Sequence, residues 1–483
     1  MSSPPKPLVP ASARQPAARM ALVCLLGLAA CAQIPQTAPR SQIRSAGDWS
    51  ASQSFNAPLQ QWPQEHWWKT YGDAQLDRLI EEALEGAPSL RVAAARLQRA
   101  EAGVDTQRAA SAPQLSANAS ASEAKQSYNY LTPKSMSPQG WNDYGRVTLD
   151  FSWELDFWGK NRAAVAAASS ERDAVAADAA QARLLLSSSI ATAYAELARL
   201  HAARDTAAAA LDVRSKTAQL FQERYANGLE TQGSVLSAEA RQAAAEGDLL
   251  AADEALLLQR NYLAELLGAG PDRGLSIQRP TIRLDQAPGL PEQLALDLLG
   301  RRPDVVAARL RAEAAAKRID AARAEFYPNV NLSAFVGVQS LGLDQLFKSG
   351  SDVGSVGPAI SLPIFSGGRL QAQYRSRHAD YEEAVAGYDA TVTQALRQVA
   401  DAAVSQRSLK PRLDRGEAAF DAAKRAWQVA RNRYDGGLSS YLDVLTAEDA
   451  MLGNLRGLTD LQSRAFSLDV ALIRALGGGY EHN

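Results

Sequence analysis

The sequence predicts a mainly α-helical chain that also supplies strands to a membrane β-barrel, and three observations carry the prediction. The chain is written twice, each half holds a helix of about 67 residues, and each half holds two strand-like runs. The expected class is tandem-duplicated long helical hairpins forming an α-barrel wall, with four strands per chain given to a barrel shared by several copies.

Bulk composition narrows the partners. The 483 residues carry a formal net charge of −2, so no basic footprint invites nucleic acid. Cys24 and Cys31 are the only cysteines, which rules out a disulfide framework in the body. His66, His201, His378 and His482 are the only histidines, and no two stand at metal-ligand spacing, so neither metal nor cofactor is expected.

The first segment reads as an export signal. Arg14 and Arg19 precede the apolar run Ala21–Ala30, which is too short to span a bilayer as a helix. Leu28-Ala29-Ala30-Cys31 resembles a bacterial lipobox, which gives a signal over 1–30 and a lipid covalently attached to Cys31. Ordinary cleavage at Ala30-Cys31-Ala32, leaving a free thiol, is the plainer alternative. Ala32 stands where bacterial lipoproteins kept at the inner membrane typically carry Asp, which points to the outer membrane. A polar leader follows over 31–74.

The duplication starts there. Pro88–Pro113 and Pro303–Pro328 enclose helical segments of equal length, with Arg96/Arg311, Asp105/Asp320 and Arg108/Arg323 coinciding. Farther on, Arg224-Tyr225-Ala226-Asn227-Gly228-Leu229 is echoed by Arg433-Tyr434-Asp435-Gly436-Gly437-Leu438. The halves are 75–285 and 286–476, with a tail over 477–483.

Each half repeats one order of elements. A helix (about 90–112, then 302–327) ends at a proline. Strands follow at about 113–123 and 147–157 in half one, and about 329–338 and 356–365 in half two. Val147 to Phe157 alternates apolar and polar without a fault, the mark of a strand with one greasy and one wet face. Long helices are expected over 160–226 and 368–435, each roughly 100 Å at 1.5 Å per residue, with a kink or break at Pro411. In the second, Tyr381, Val385, Tyr388, Val392, Ala395, Val399 and Ala402 step 4-3-4-3-4-3, a heptad seam. Turns at Gly228 and Gly437 then launch return helices over 231–268 and 439–476.

Four strands cannot close a barrel, and an open edge in hydrocarbon costs several kcal/mol per unsatisfied backbone group. Sister copies must pair those edges; three give twelve strands and a lumen, whereas two give eight and a plugged interior. A small soluble sheet capping a helical bundle is the alternative.

The whole mature chain resembles the TolC-like outer-membrane factors, most closely their lipoprotein (OprM/NodT-type) branch. The motifs are Trp67-Trp68-x-x-Tyr71-x-Asp73, Trp153-Glu154-Leu155-Asp156-Phe157-Trp158-Gly159-Lys160, Arg302-Pro303-Asp304-Val305 and Pro363-Ile364-Phe365-Ser366-Gly367-Gly368-Arg369. Ala87-Pro88-Ser89 and Ser111-Ala112 depart from the family pattern. The resemblance implies a homotrimer in the outer membrane extending into the periplasm. It also implies docking on a periplasmic adaptor and an inner-membrane transporter of the resistance-nodulation-division class. It further implies a gate where the second hairpin bends inward, matching Tyr441, Leu442 and Asp443 here, with Thr446 in place of a second carboxylate.

Local chemistry leaves the gate open to a second reading, because Asp443 three residues after Ser440 also reads as a helix cap. Arg433 and Tyr434 could latch the hairpin to a neighbour, but Arg224 and Tyr225 repeat them, so shared turn packing is an equal alternative. No phosphate loop, HExxH pair or nucleophile elbow supports an enzyme. A coiled-coil adaptor or scaffold lipoprotein is the functional rival, disfavoured by the two hairpins and the membrane-length strands.

Overall fold

The computed structural model describes residues 34–37, 39–49, 61–129, 133–282 and 300–481. The expected signal, Cys31 and the junction between the halves lie outside them. In chain order the elements are α1 (Ala74–Gly86), α2 (Pro88–Ala110), β1 (Gln114–Ala124), β2 (Asn142–Leu155), α3 (Lys160–Ala226), α4 (Gln232–Leu266) and α5 (Pro271–Leu275). The second half supplies α6 (Pro303–Ala324), β3 (Asn329–Leu341), β4 (Asp352–Ser361), α7 (Arg369–Asp435) and α8 (Tyr441–Ala475).

The residues group into two compact units. The first comprises 98–173, 309–387 and the described residues up to Gln42. It holds one antiparallel sheet in the order β1-β2-β3-β4. Leu115 faces Phe151, Leu149 faces Val336, and Ala334 faces Val356, so their side chains share one face. That face is bare: Val356 is 77 % exposed and Leu115 70 %. The opposite face is polar, where Asn118 and Thr148 both donate to Asp150 Oδ2 at 2.8 Å. At Gly337 a Cβ would meet the Val147 carbonyl oxygen at 2.0 Å, so only glycine lets β3 lie this close to β2. Among the described residues β1 and β4 each pair on one side only, and Pro358 sits in the edge strand β4, where a missing N–H is tolerated.

Three strands differ in their limits from the sequence reading, and β3 runs on to Leu341, past the expected 338. β2 starts at Asn142 and ends at Leu155, because Asn142 to Arg146 keeps pairing with β1 although its side chains break the apolar alternation. β4 covers 352–361 and not 356–365, because Pro363 and the exposed Ile364 and Phe365 belong to the turn into α7. The first-half opening helix also has a separate companion, α1, capped by Asp73 accepting from Gln75 N and Leu76 N.

An N-terminal strap runs parallel to α7 in the first unit. Thr37 bonds His378 at 3.3 Å, Ser41 N donates to Glu382 Oε1 at 3.0 Å, and Tyr381 OH donates to the Ser41 carbonyl at 2.8 Å. Arg40 adds an ion pair to Asp320 on α6.

The second unit comprises the described residues within 43–97, 174–308 and 388–481. Trp67, Trp68, Tyr71, Leu76 and Ile80 pack on Ile190, Tyr194 and Leu263 from α3 and α4. Arg302 is buried and grips Asp304 with two hydrogen bonds. All seven residues of the α7 heptad seam are buried. The helix runs through Pro411 without the local break that the sequence allowed for there. Pro411 is exposed, so its ring packs against no other element and water reaches the backbone around it.

Candidate functional site

The two hairpin tips lie in the second unit and are built by the same local chemistry. At the first, Gly228 adopts φ 72°, its N–H donates to the Tyr225 carbonyl, and Leu229 N donates to Arg224 O at 2.8 Å. At the second, Gly437 adopts φ 73°, its N–H donates to Tyr434 O, and Leu438 N donates to Arg433 O at 2.7 Å. Both are helix-ending Schellman turns that need left-handed backbone, hence glycine. Nothing crowds either Cβ position, so conformation alone demands the residue.

The return helices are capped differently. Thr231 Oγ1 accepts from Ser234 N at 3.2 Å to start α4. Asp443 Oδ2 accepts from Ser440 N at 2.9 Å and Ser440 Oγ at 2.8 Å to start α8. Those two bonds from Ser440 hold the Asp443 carboxyl below its ordinary range. Asp443 therefore serves as a cap while remaining exposed, and Leu442 beside it is 67 % exposed.

The repeated Arg-Tyr pair is used asymmetrically. Tyr434 is 4 % exposed and Tyr225 47 %. Tyr434 OH donates to Glu230 Oε1 at 2.8 Å, tying the end of α7 to the first tip within one chain. The Arg224 guanidinium lies 4.6 Å from the Tyr434 ring centroid, and Phe221 packs against Tyr434 and Tyr441. Burial and the Glu230 carboxylate both push the Tyr434 hydroxyl up, so it stays protonated. Burial opposes ionisation of Glu230, but the Thr231 N–H and the Tyr434 and Ser234 hydroxyls outweigh it and keep this carboxyl low. Arg433 is spent on its own turn, donating to Leu438 O at 3.4 Å.

A second tier ties α8 to α3 and α4. Asp449 accepts from Arg214 at 3.1 Å and from Arg241 at 2.7 Å. Beside it Glu448 is 1 % exposed, accepts from Thr217 Oγ1 at 3.2 Å, and is pushed up by burial.

The structure thus brings Tyr434 and Tyr441 into one cluster, leaves Leu442 and Asp443 on the surface, and confines Arg433 to its turn. Sequence reasoning missed Glu230, Glu448 and Asp449. Glu230 carried a readable signal: it follows the echoed run in half one, where half two has Ser439. Among the described residues no acidic, His or Cys cluster could hold a metal, and no helix is long and apolar enough to cross a membrane.

Comparison with known proteins adds to this geometry. The family model for outer membrane efflux proteins matches residues 79–269 and 294–478. The crystal structure of the outer membrane protein VceC from Vibrio cholerae superposes with a TM-score of 0.82 at 53 % identity, covering 87 % of this chain and 100 % of that one. The multidrug resistance outer membrane protein MdtP of Escherichia coli K12 is 30 % identical over 475 residues, 96 % of this chain and 97 % of its own. The fusaric acid resistance protein FusA of Burkholderia cepacia is 37 % identical over 366 residues, 74 % and 68 % of the two chains.

Proposed function

The chain belongs to the outer membrane efflux protein family, and from that premise we propose a lipid-anchored duct whose tips are held shut by the Tyr434–Glu230 contact. As a family member it is an outer-membrane exit channel of a tripartite efflux system and not an enzyme. It works as a trimer with an adaptor and an inner-membrane transporter, and extends into the periplasm. The single observation that carries the pore is the sheet: bare apolar side chains on one face, polar ones on the other, and two edges with no partner among the described residues.

The lipid anchor at Cys31 is supported by the strap. Thr37 sits at His378, nine residues into α7, or about 14 Å from its first residue, Arg369. Read backward the strap heads toward that end, and the six residue steps from Thr37 to Cys31 span up to about 20 Å. Cys31 is therefore within reach of the level where β4 hands over to α7, where Phe365 and Ile364 stand exposed.

The gate reading rests on the second tip. Opening requires α7 and α8 to swing from the first hairpin, which breaks the Tyr434 hydrogen bond and uncovers its ring. Leu442 then lines the constriction, and three Asp443 carboxylates around the axis favour cations. The exposed Leu229 and Leu438 beside the turn glycines offer the adaptor an apolar landing. The transporter is of the resistance-nodulation-division class, and drug-like organic molecules are the cargo, as the names of the multidrug and fusaric acid resistance relatives suggest. Single-channel recording tests the gate. Wild-type protein should show small, mostly closed conductance and Tyr434→Phe a several-fold larger one; equal conductance would remove the latch.

A further inference from the structure

The second unit holds a cavity of about 600 Å³ that conduction through a duct does not use. Its volume falls within the roughly 300–1,000 Å³ of small-molecule sites. Three stretches far apart in the chain wall it: Trp62 to Trp68, α3 around Arg183, and Gly477 to Glu481 behind α8. The glycine run makes this wall possible. Gly477, Gly478 and Gly479 all adopt left-handed backbone, and a Cβ at Gly479 would collide with the Gln64 carbonyl. The chain end therefore packs backbone to backbone on residues 64–65 and bounds the space without filling it.

The floor is aromatic and the rim is charged. Trp67 is 2 % exposed and Trp68 3 %, and their rings meet edge to face at 82°. Neither indole N–H has an acceptor among the described residues. That of Trp68 is sealed off, whereas that of Trp67 lies at the glycine wall, where a Cβ on Gly478 would stand 3.5 Å from its Nε1. A buried donor without an acceptor is costly, and a ligand oxygen would satisfy it. At the rim Glu65 and Arg183 are exposed, with no ion-pair partner among the described residues. Arg301 is held in place, donating to Glu481 at 2.7 Å with its guanidinium 5.1 Å from the Trp62 ring centroid.

We propose that this cavity binds a neutral saccharide of one or two rings. Its two guanidiniums and two carboxylates cancel in charge, which decides the class of ligand. An apolar molecule would strip water from Glu65 and Arg183 and return no hydrogen bond. An anion would press on Glu65 and Glu481, and a cation on Arg183 and Arg301. A sugar meets all the demands at once. Each hydroxyl can donate to a carboxylate and accept from a guanidinium or from Trp67, while the C–H face of the ring lies on an aromatic side chain. Trp62 and Tyr480, both partly exposed, offer that surface. Two sources share this chemistry, the acetamido sugars of a cell-wall strand and free hexose oligosaccharides, and the experiment separates them.

The experiment is calorimetric titration of the full-length protein in a zwitterionic detergent free of sugar. Diacetylchitobiose is the probe for the first source and maltose for the second. The expected result is saturable binding of at least one probe in the millimolar range or tighter, and the probe that binds better assigns the source. Arg183→Ala and Glu65→Ala remove exposed side chains, so the fold should survive, as circular dichroism would check. Together they should weaken binding at least ten-fold, whereas Arg412→Ala, an exposed arginine of α7 outside the cavity, should leave it unchanged. Binding of neither probe, binding that survives the double variant, or an equal loss in Arg412→Ala would each overturn the site.

Discussion

The two hairpin tips started as copies and now differ where it matters. Both end a long helix with the same left-handed glycine and the same pair of turn hydrogen bonds. Yet Tyr225 of the first tip lies open to solvent while its counterpart Tyr434 is buried and bonded to Glu230. The first return helix starts from a neutral cap, the second from Asp443. The comparison teaches that the duplication preserved the turn and gave the second tip a buried tyrosine contact that the first lacks.

Breaking that asymmetry at its strongest point should give the largest effect. A hydrogen bond to a charged acceptor contributes about 1.5–3 kcal/mol, so Tyr434→Phe should raise open probability roughly ten-fold in planar bilayers. Tyr225→Phe should change nothing measurable in the same recordings. Next come the turns that the tips share. Gly228→Ala and Gly437→Ala each place a side chain in left-handed backbone, at about 1–2 kcal/mol. Both should lower the midpoint of thermal unfolding, and Gly437→Ala should also raise conductance.

The buried second tier offers a smaller, pH-dependent effect. Burial raises the Glu448 carboxyl in the folded chain, so the folded state keeps a proton that the unfolded state has already released. Stability contributed at this site therefore falls as pH rises from the ordinary glutamate range through the raised value. Glu448→Gln should flatten that slope and raise the melting midpoint by a few degrees at neutral pH, as read by circular dichroism across pH 4–8. Glu239, the repeat's counterpart, is not buried, and Glu239→Gln should leave the slope alone. The smallest effect belongs to Asp443. Asp443→Asn should reduce cation selectivity by less than two-fold, measured from reversal potentials in a salt gradient. Its helix-capping contribution is present above the unfolded carboxyl range and is lost as pH falls through the lowered value.

Much of the fold was legible because long-range order repeats short-range signals. The α7 seam was read from seven residues, and all seven are buried. The long helix expected over 160–226 before the Gly228 turn spans Lys160–Ala226 in the structure. Strand limits were less legible. Pairing extends β2 to Asn142 through backbone groups that side-chain patterning does not report, and Ile364 and Phe365 mimic a strand while standing exposed in a turn. The site was half legible for a similar reason. Tyr434 could be named from the echo, but its partner Glu230 lies 204 positions earlier, and only the fold brings them together. Glu448 reads as one more charge on a solvated helix, but the fold buries it against Thr217 and Arg214 of α3.

The barrel is the claim on which the duct depends, because a single chain leaves both sheet edges open. Light scattering of the detergent-solubilised protein, corrected for bound detergent, tests it most directly. A protein mass of three chains is the expected result. A stable mass of one chain, with the sheet intact, would contradict the account.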